Sequence, residues 1–567
     1  MVFAKCRPPR GLGRDLAAWE NVRLPLPPNA FMAPSRIGLP ARTGPGERLA
    51  AWMWGATDQR SSQAGRPIPR PGNRWGPGTG MAPTPRVNTA EPARARRPLT
   101  VISRLSLPLI LCLLATGCST LDSIQRTVFG GGPRRGQPGF VDGFLGAVVA
   151  DEPNAALVGK EVLSAGGNAA DAAVAVGLSL GVTLPSRAGV GGGGACVAYH
   201  PAGKRAPDAI LFVPPAVVTV GGGDRRAAVP MLPRGMFVLH AGRGRLPFEF
   251  LIDKAERLAR FGSPVSRAFA RDLALVAGPL FADPGARNAY GRGGVPLVEG
   301  QTMTQPDLAA TLAQLRVAGV GDLYQGALAR RVEQMSPLAG VPIGLADLRA
   351  ALPAVQPPAV VAFGEDQVAF PPTDGGLAAA AALMTLRDRP ADVQAALLSS
   401  LAAAARWRAG GANSDQVLNG ELVAPASVPL YPATTSFAAM DDEGNAVVCA
   451  MTMNNLFGTG RMVPGLGFLT AASPANVTPP LLAAGLAWSP RRDAFRAAAG
   501  GSGQAGSGLA AAAALANTLR SGQPMQSLVP EPGRANVISC ARYLPGSEAN
   551  CGAVADPREF GLVARGS

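Results

Sequence analysis

Two apolar, strand-like runs separated by a short polar turn form the most informative part of this chain. Residues 434–441 and 446–453 are rich in Thr, Val, Phe and Met, and Asp-Glu-Gly-Asn lies between them. This pattern is typical of a β-hairpin, because β-branched and apolar residues favour strands while Gly and Asn favour tight turns. If those four residues form the turn, antiparallel pairing places Thr434 opposite Met453 and close to Thr452. Polar side chains are therefore predicted to converge at one end of the hairpin.

Helical periodicity dominates much of the remaining sequence from Asp151 onwards. Residues 154–163 have helical spacing, and Asn168 is predicted to cap a second helix with Asp171 three residues later, as in a capping box. Residues 169–182 are small and apolar nearly all round, which predicts a buried helix. Further helices are predicted at 251–262, at two places within 301–332, and at 377–387, 392–408 and 509–519.

A glycine-rich run follows the buried helix. Residues 189–194 formally satisfy the dinucleotide-binding pattern G-x-G-x-x-G, but that fingerprint follows a strand and opens a helix. Here a helix is predicted before the run and a strand, residues 195–200, after it. The sequence therefore does not predict nucleotide binding, and the glycines are interpreted as sites of close backbone approach. Residues 210–220 are interpreted as two short strands broken at Pro214-Pro215.

The hairpin and the glycine-rich run together resemble the gamma-glutamyltransferases, which are N-terminal-nucleophile hydrolases. The hairpin contains a Thr-Thr pair at 434–435, an Asp-x-Gly-Asn turn, Thr452-x-Asn454 and Phe-Gly-Thr-Gly at 457–460. Residues 166–200 resemble the opening of that family's large subunit, and the similarity runs in order over about residues 151–566. The resemblance implies an α+β fold, the four-layer αββα sandwich, and self-cleavage before Thr434.

Self-cleavage would give Thr434 a free α-amino group, whose pKa of about 7.7 to 8 suits a base that activates the hydroxyl nucleophile. The resemblance implies that Thr452 orients this nucleophile and that Asn454 contacts the amino end of the substrate. A glycine-rich turn containing Gly501, Ser502 and Gly503 could present N–H groups to an oxyanion, or be an ordinary tight turn. This chemistry requires no metal or organic cofactor.

A Ser-His-Asp triad is the competing nucleophile arrangement. The chain has two histidines, His200 and His240, and neither lies in a nucleophile-elbow context. We therefore favour Thr434. Residues 410–433 before it are polar and rich in Gly and Pro, which suits an exposed loop that is cut, although an ordinary surface linker would have the same composition.

Substrate recognition departs from the family pattern. The Arg that binds the substrate α-carboxylate in the family aligns with Val213, its acidic pair with Ala475-Asn476, and its Ser-Ser pair near Leu486-Ala487. Arg187 or Arg461 could replace the missing Arg. Three functions stay open: a gamma-glutamyl transferase or hydrolase acting on glutathione-like peptides, an amidohydrolase with another acyl substrate, and an inactive envelope lipoprotein.

The net charge of +15 is concentrated in one region. Residues 1–97 contain 16 basic and 5 acidic side chains, so the remaining 470 residues carry only +4. Because the excess lies outside the predicted globular region, it does not indicate nucleic-acid binding. Residues 1–97 have no sustained periodicity and are interpreted as disordered or untranslated.

An export signal is predicted at residues 98–118. The apolar run 105–114 follows several arginines and ends in Ala-Thr-Gly-Cys, which resembles a bacterial lipobox with Cys118 as the lipidated residue. A cleaved signal and a retained anchor are alternatives, but the run is shorter than the about 20 residues that span a bilayer and contains Pro108. We expect a periplasmic, membrane-anchored lipoprotein whose precursor yields a large chain, 119–433, and a small chain, 434–567.

The remaining cysteines suggest one disulfide. Cys540 and Cys551 flank a loop in a chain predicted to be exported, where a disulfide could form. Cys196 and Cys449 lie in apolar runs and are interpreted as buried hydrophobic residues. No cysteine or histidine spacing indicates a metal site.

Overall fold

The computed structural model describes residues 145–566, apart from 220–222, 412, 422, 525–529, 547–549 and 559. The predictions for residues 1–97, for the export signal at 98–118 and for Cys118 lie outside the described residues. The described residues all belong to one compact unit, Ile102–Ser567. Within them, no helix combines the length and the apolar character needed to cross a membrane.

Helices and strands alternate along the described chain. The helices are α1 Pro153–Ser164, α2 Ala169–Thr183, α3 Leu232–Ala241, α4 Phe248–Phe261, α5 Arg267–Leu280, α6 Pro284–Tyr290, α7 Pro306–Ala318, α8 Asp322–Gln325, α9 Ala327–Met335, α10 Leu345–Ala350, α11 Asp374–Asp388, α12 Val393–Arg408, α13 Ser414–Asn419 and α14 Ser507–Ser521. The strands are β1 Gly146–Ala150, β2 Gly193–Tyr199, β3 Asp208–Phe212, β4 Ser263–Pro264, β5 Gly291–Arg292, β6 Val295–Pro296, β7 Thr302–Met303, β8 Ala354–Gln356, β9 Ala359–Phe363, β10 Asp366–Phe370, β11 Thr434–Asp441, β12 Ala446–Thr452, β13 Ala483–Ser489, β14 Ala494–Ser502, β15 Arg534–Leu544, β16 Cys551–Val554 and β17 Leu562–Gly566.

Two antiparallel sheets form the centre of the fold. The first has seven strands in the order β17-β1-β11-β12-β2-β3-β8, and the second has six in the order β16-β15-β14-β13-β10-β9. Strands from before and after residue 434 are neighbours in both sheets, so the predicted division at 433/434 does not separate two spatial domains. The hairpin β11–β12 lies in the middle of the first sheet.

Three apolar layers hold the fold together. Helices α1 to α3 pack on the outer face of the first sheet and α4 packs against α2, so that Val176 and Ile252 share a cluster with Phe437. The alanine-rich helices α11 and α14 cover the second sheet, and α12 packs against both of them. A third cluster lies between the sheets, where residues such as Val448 and Ile538 meet. This order of layers is a four-layer αββα sandwich in an α+β fold, as the family resemblance implied.

The buried helix predicted at 169–182 is α2. All its residues are buried, and Asn168 and Asp171 form the reciprocal capping box expected from the sequence. The Asp171 carboxylate also accepts the N–H groups of Arg245 and Leu246, so it joins the start of α2 to the start of α4. Burial raises the pKa of Asp171, and these N–H donors oppose that rise.

Two details of the predicted secondary structure were wrong. Of the two strands predicted within 210–220, β3 is the one that forms among the described residues. Pro214 and Pro215 lack N–H donors, and residues 216–219 beyond them contain only an isolated bridge at Ala216. The segment 301–332, predicted as two helices, contains α7, the short α8 and the start of α9, because the chain turns again at Gly326.

The described part of the chain contains two disulfides. One joins Cys540 and Cys551, on neighbouring strands β15 and β16. The other joins Cys196 of β2 to Cys449 of β12, which are directly paired in the first sheet. Both cysteines of this second pair are fully buried, as expected from the sequence, but the disulfide between them was not predicted. They are 253 residues apart, and their pairing depends on a strand register that spacing alone cannot reveal.

Small residues allow the two sheets to approach closely near the start of β11. A Cβ added at Gly500 of β14 would lie 2.6 Å from the Cβ of Ser436, which the strand holds in place. We expect Gly500→Ala to lower the free energy of unfolding by about 1 to 3 kcal/mol through overpacking. The exposed Gly242 at the end of α3 has open space around it and a φ of −95°, so Gly242→Ala should leave stability unchanged or raise it slightly. Urea denaturation of both variants tests this, and equal midpoints would contradict it.

Candidate active site

Thr434 is the first residue of β11 and pairs directly with Thr452, the last residue of β12. The sequence prediction that Thr434 faces Met453 was therefore wrong by one position. Met440 pairs with Ala446, so the turn contains residues 441–445 rather than four residues. The correct register brings two threonine hydroxyl groups to the same position at the end of the hairpin.

The Asp441 side chain explains the longer turn. Its carboxylate accepts the N–H groups of Glu443 and Asn445, and Gly444 has a φ of +83°. The same carboxylate accepts the N–H of Ala169 at the start of α2, at 2.9 Å. Burial raises the pKa of Asp441, while its hydrogen-bond donors lower it. The turn is thus fixed to the helical layer, and this fixes the register of the hairpin.

The Thr452 hydroxyl group is hydrogen-bonded to the peptide unit that precedes Thr434. Thr452 Oγ1 donates a hydrogen bond of 2.8 Å to the carbonyl oxygen of Ala433 and accepts the N–H of Asn454, also at 2.8 Å. All of these residues are buried. A donor on this carbonyl stabilises the negative charge that develops on its oxygen when a nucleophile attacks the carbonyl carbon. The hydroxyl group closest to this carbonyl along the chain is that of the adjacent Thr434, the candidate nucleophile.

Asn454 lies just beyond the hairpin in a left-handed conformation, with a φ of +61°. Its Nδ2 donates to the carbonyl oxygen of Ala472 at 2.9 Å, while its Oδ1 is buried without a hydrogen-bond partner. A buried unpaired acceptor is costly unless a ligand or water satisfies it. This oxygen is therefore suited to accept a hydrogen bond from an ammonium or amide group, and the role of Asn454 in substrate binding stays a prediction.

The segment Gly501 to Gly503 ends β14 and enters the turn before α14. Gly501 faces that helix, since an added Cβ would lie 2.1 Å from the Ser507 carbonyl oxygen. Gly503 has a φ of +98°, as the turn requires. Ser502 lies on the same face of the strand as Gly500, towards the first sheet, and its Oγ is buried without a hydrogen-bond partner.

The pairing of β14 with β15 shows which end of β11 Ser502 approaches. Asn536 of β15 pairs with Gly500 and donates to the Ser436 carbonyl oxygen, whereas Cys540 contacts Met440. Strand β15 therefore runs in the same direction as β11, and β14 runs in the opposite direction. Ser502, the last residue of β14, thus lies towards the Thr434 end of β11. Of the predicted oxyanion residues, Ser502 is the one whose side chain is directed to this region.

Asp151 was not predicted as a site residue. It directly follows β1, and its carboxylate accepts hydrogen bonds from the Thr435 hydroxyl at 2.9 Å, the Ser436 N–H at 3.0 Å and the Asn536 amide at 2.5 Å. These contacts fix the two residues that follow Thr434. An acidic residue directly after an apolar strand was the available signal, but its partners lie 284 to 385 positions away.

A cavity of about 730 Å³ opens beside Thr452 and Asn454. Val213 and Ala475-Asn476, the positions predicted to replace the recognition residues of the family, all line it. Leu486 and Ala487 do not, since both are fully buried in the middle of β13. The other lining residues are Thr373, Asp374, Trp407, Arg408, Pro474, Val477, Thr478, Pro479, Pro480 and Leu482.

Neither arginine suggested as a replacement carboxylate receptor lines this cavity. Arg187 is buried and binds both oxygens of Asp272, at 2.7 and 2.8 Å. Arg461 forms an ion pair with Asp224. The charged side chains that do line the cavity are Asp374 and Arg408, which sequence reasoning did not select because they belong to different helices.

Comparisons with known proteins agree with this geometry. A family model described as gamma-glutamyltranspeptidase matches residues 155–407. The chain is 25% identical over 393 residues to glutathione hydrolase 3 of Arabidopsis thaliana, covering 59% of this chain and 62% of the relative. It is 28% identical over 379 residues to the glutathione hydrolase proenzyme of Pseudomonas aeruginosa, covering 57% of this chain and 66% of the relative. The matches therefore span less than two thirds of these relatives.

The fold also occurs in a solved structure. Cephalosporin acylase from Bacillus halodurans superposes with a TM-score of 0.61 and 18% identity, covering 77% of this chain and 98% of that chain. This similarity supports the αββα sandwich as the fold.

The Thr452 hydroxyl provides the sharpest test of this geometry. Thr452→Val keeps the side-chain shape but removes the donor to Ala433, and we expect it to slow self-cleavage before Thr434 about 100-fold or more. Thr311→Val is a matched control, because Thr311 is also buried and donates to a backbone carbonyl, that of Leu466, at 2.8 Å. A time course on reducing gels measures both rates. Equal rates for the two variants would contradict the role of Thr452.

Proposed function

We propose that this chain, a relative of the gamma-glutamyltranspeptidases, is an N-terminal-nucleophile amidohydrolase that cleaves itself before Thr434 and then transfers or hydrolyses gamma-glutamyl groups of glutathione-like peptides. The observation that carries this proposal is the hydrogen bond from Thr452 to the carbonyl oxygen of Ala433. The names of the relatives, glutathione hydrolases, support the choice of substrate.

Self-cleavage begins at the peptide bond between Ala433 and Thr434. The Thr434 Oγ attacks the Ala433 carbonyl carbon, its proton passes to the amide nitrogen, and the C–N bond breaks to leave an ester. Water then hydrolyses the ester, releasing the Ala433 carboxylate and giving Thr434 a free α-amino group. The preceding loop is exposed at Leu430 and Tyr431, whereas Ala433 and Thr434 are buried. The new chain end therefore has room to leave the site.

The mature site uses the same groups on an external amide. The α-amino group of Thr434 removes the proton from its own hydroxyl, which attacks the acyl carbonyl. The freed Thr452 hydroxyl orients the nucleophile, and the buried acceptor of Asn454 receives a donor from the substrate. The protonated amine gives its proton to the leaving amine, and water or an acceptor amine releases the acyl group from Thr434.

A second candidate is an amidohydrolase with a different acyl substrate. Val213, Ala475 and several prolines on the cavity wall favour a neutral acyl group over a charged one. The cephalosporin acylase with the same fold shows that this scaffold can hold an acylase. In the third possibility, an inactive protein that keeps only the fold, the chain would remain uncut.

We further propose that the protein is exported and anchored to a membrane through lipid on Cys118. The lipobox-like sequence before Cys118 supports this proposal. Two disulfides in the described part of the chain also support it, because disulfides persist in oxidising compartments such as the periplasm. Metabolic labelling with a fatty acid, compared with Cys118→Ala, tests the lipid.

The identity of the nucleophile is tested by a reducing, denaturing gel together with an intact-mass measurement of each chain. Wild type should give a large chain that ends at Ala433 and a small chain that begins at Thr434, whereas Thr434→Ala should remain whole because it lacks the hydroxyl. Thr434→Ser keeps a hydroxyl and should still be cut. An uncut wild type after prolonged incubation would contradict the proposed function.

The Cys196–Cys449 disulfide predicts a different result without reductant. Its cysteines lie on opposite sides of the cleavage position, so the two mature chains should remain covalently joined. Cleaved wild type should therefore migrate as one species under denaturing, non-reducing conditions and as two with reductant. Cys196→Ser should give two species under both conditions. Separation of the wild-type chains without reductant would contradict a disulfide between them.

A further inference from the structure

The cavity beside the nucleophile is neutral on most of its wall but contains one ion pair. Among the described residues that line it, Asp374 and Arg408 are the charged ones. Arg408 approaches a single carboxylate oxygen of Asp374, Oδ2, with Nε at 2.7 Å and Nη2 at 2.6 Å. The other oxygen, Oδ1, accepts the N–H of Gly375 at 2.7 Å.

The ion pair is held in place and remains accessible. Asp374 begins α11 and Arg408 ends α12, and the Arg408 Nη2 also donates to the Pro479 carbonyl oxygen at 2.7 Å. The side chains of Asp374 and Arg408 are 18% and 23% exposed. A ligand in the cavity can therefore reach both charges without displacing a helix.

An α-amino acid head group has the complementary arrangement of charges. Its ammonium and carboxylate groups are attached to the same carbon, so they present a positive and a negative charge side by side. An immobilised Asp–Arg pair can receive both at once, because carboxylate binds Arg through charge-assisted hydrogen bonds and ammonium binds Asp in the same way. A neutral acyl group would gain nothing from this pair.

We propose that Asp374 and Arg408 bind the α-amino acid head group of the gamma-glutamyl donor, with Arg408 facing its carboxylate and Asp374 its ammonium group. This inference rests on the proposed function and assigns the recognition that Val213 and Ala475-Asn476 no longer provide. It assigns recognition to different lining residues from those implied by the family resemblance. The scissile amide then lies towards Thr452, at the nucleophile.

Self-cleavage makes the guanidinium group more available. Arg408 Nη1 donates to the carbonyl oxygen of Ser427 at 2.7 Å, and Ser427 belongs to the exposed loop that ends at the cleavage site. Once the loop is cut, its end can move and release this donor for the substrate carboxylate. The precursor therefore holds Arg408 with its own backbone until the nucleophile is formed.

Three chromogenic anilides distinguish recognition of the substrate's carboxylate group from recognition of its ammonium group. Gamma-glutamyl p-nitroanilide has both groups, 4-aminobutanoyl p-nitroanilide lacks the carboxylate, and glutaryl p-nitroanilide lacks the ammonium group. Arg408→Gln should lower kcat/KM at least 10-fold for the gamma-glutamyl compound but less than twofold for the 4-aminobutanoyl compound. Asp374→Asn should lower it at least 10-fold for the gamma-glutamyl compound but less than twofold for the glutaryl compound. Both losses should appear mainly in KM.

Arg387→Gln is the matched control, because Arg387 forms a 2.8 Å ion pair with Asp388 at the exposed end of α11, outside the cavity. It should change none of the three values. If a single cavity variant fails to fold, the double variant Asp374→Asn/Arg408→Gln leaves no unpaired charge and should lose the preference for the gamma-glutamyl compound over the other two. Self-cleavage on a reducing gel reports folding of each variant.

The outcomes distinguish this inference from the proposed function. Variants that cleave themselves normally but lower all three activities equally, or none, would overturn the assignment of Asp374 and Arg408. A self-cleaved wild type that shows no preference for the gamma-glutamyl compound would also overturn it, while leaving the nucleophile intact. An uncut wild type would contradict the proposed function itself, and this result can be told apart from the other two on the reducing gel.

Discussion

The register between β11 and β12 is the constraint on which the site depends. A shift of one residue would turn every side chain of the hairpin to the opposite face of the sheet, separating the Thr452 hydroxyl from the Ala433 carbonyl. Asp441 prevents that shift, because its buried carboxylate binds both the turn and the first residue of α2. The geometry at Thr434 is therefore set at the far end of the strand.

Buried polar groups keep the nucleophile end of β11 in place. Asp151 binds Thr435 and Ser436 from the neighbouring strand, and Asn536 reaches the same position from the second sheet. Such groups are costly to bury unless their hydrogen bonds are made. These groups lie where β1 and β11 of the first sheet meet β15 of the second. We infer that they hold Thr435 and Ser436 in position as well as stabilising the fold.

The wall of the cavity and the strands that carry Thr434 and Thr452 come from different parts of the fold. Thr434, Thr452 and Ser502 lie on strands of the two central sheets, whereas most of the cavity wall is built from loops and helix ends. Val213 can therefore replace a charged residue without disturbing Thr434. Charge for recognition is then available from Asp374 and Arg408, which the adjoining ends of α11 and α12 bring together. In the proposed function, substrate recognition and nucleophilic attack therefore depend on separate parts of the fold.

The sequence by itself determined the hairpin, the buried helix α2 with its capping box, and Thr434 as the candidate nucleophile, because strand pattern, helix caps and turn residues act over a few positions. The resemblance of these motifs to a family supplied the αββα sandwich. The exact register, the Cys196–Cys449 disulfide, and the contacts of Asp151, Asp374 and Arg408 were decided only by the tertiary structure. Each depends on residues far apart in the chain, and local patterns carry no information about which distant side chain completes a hydrogen bond or an ion pair.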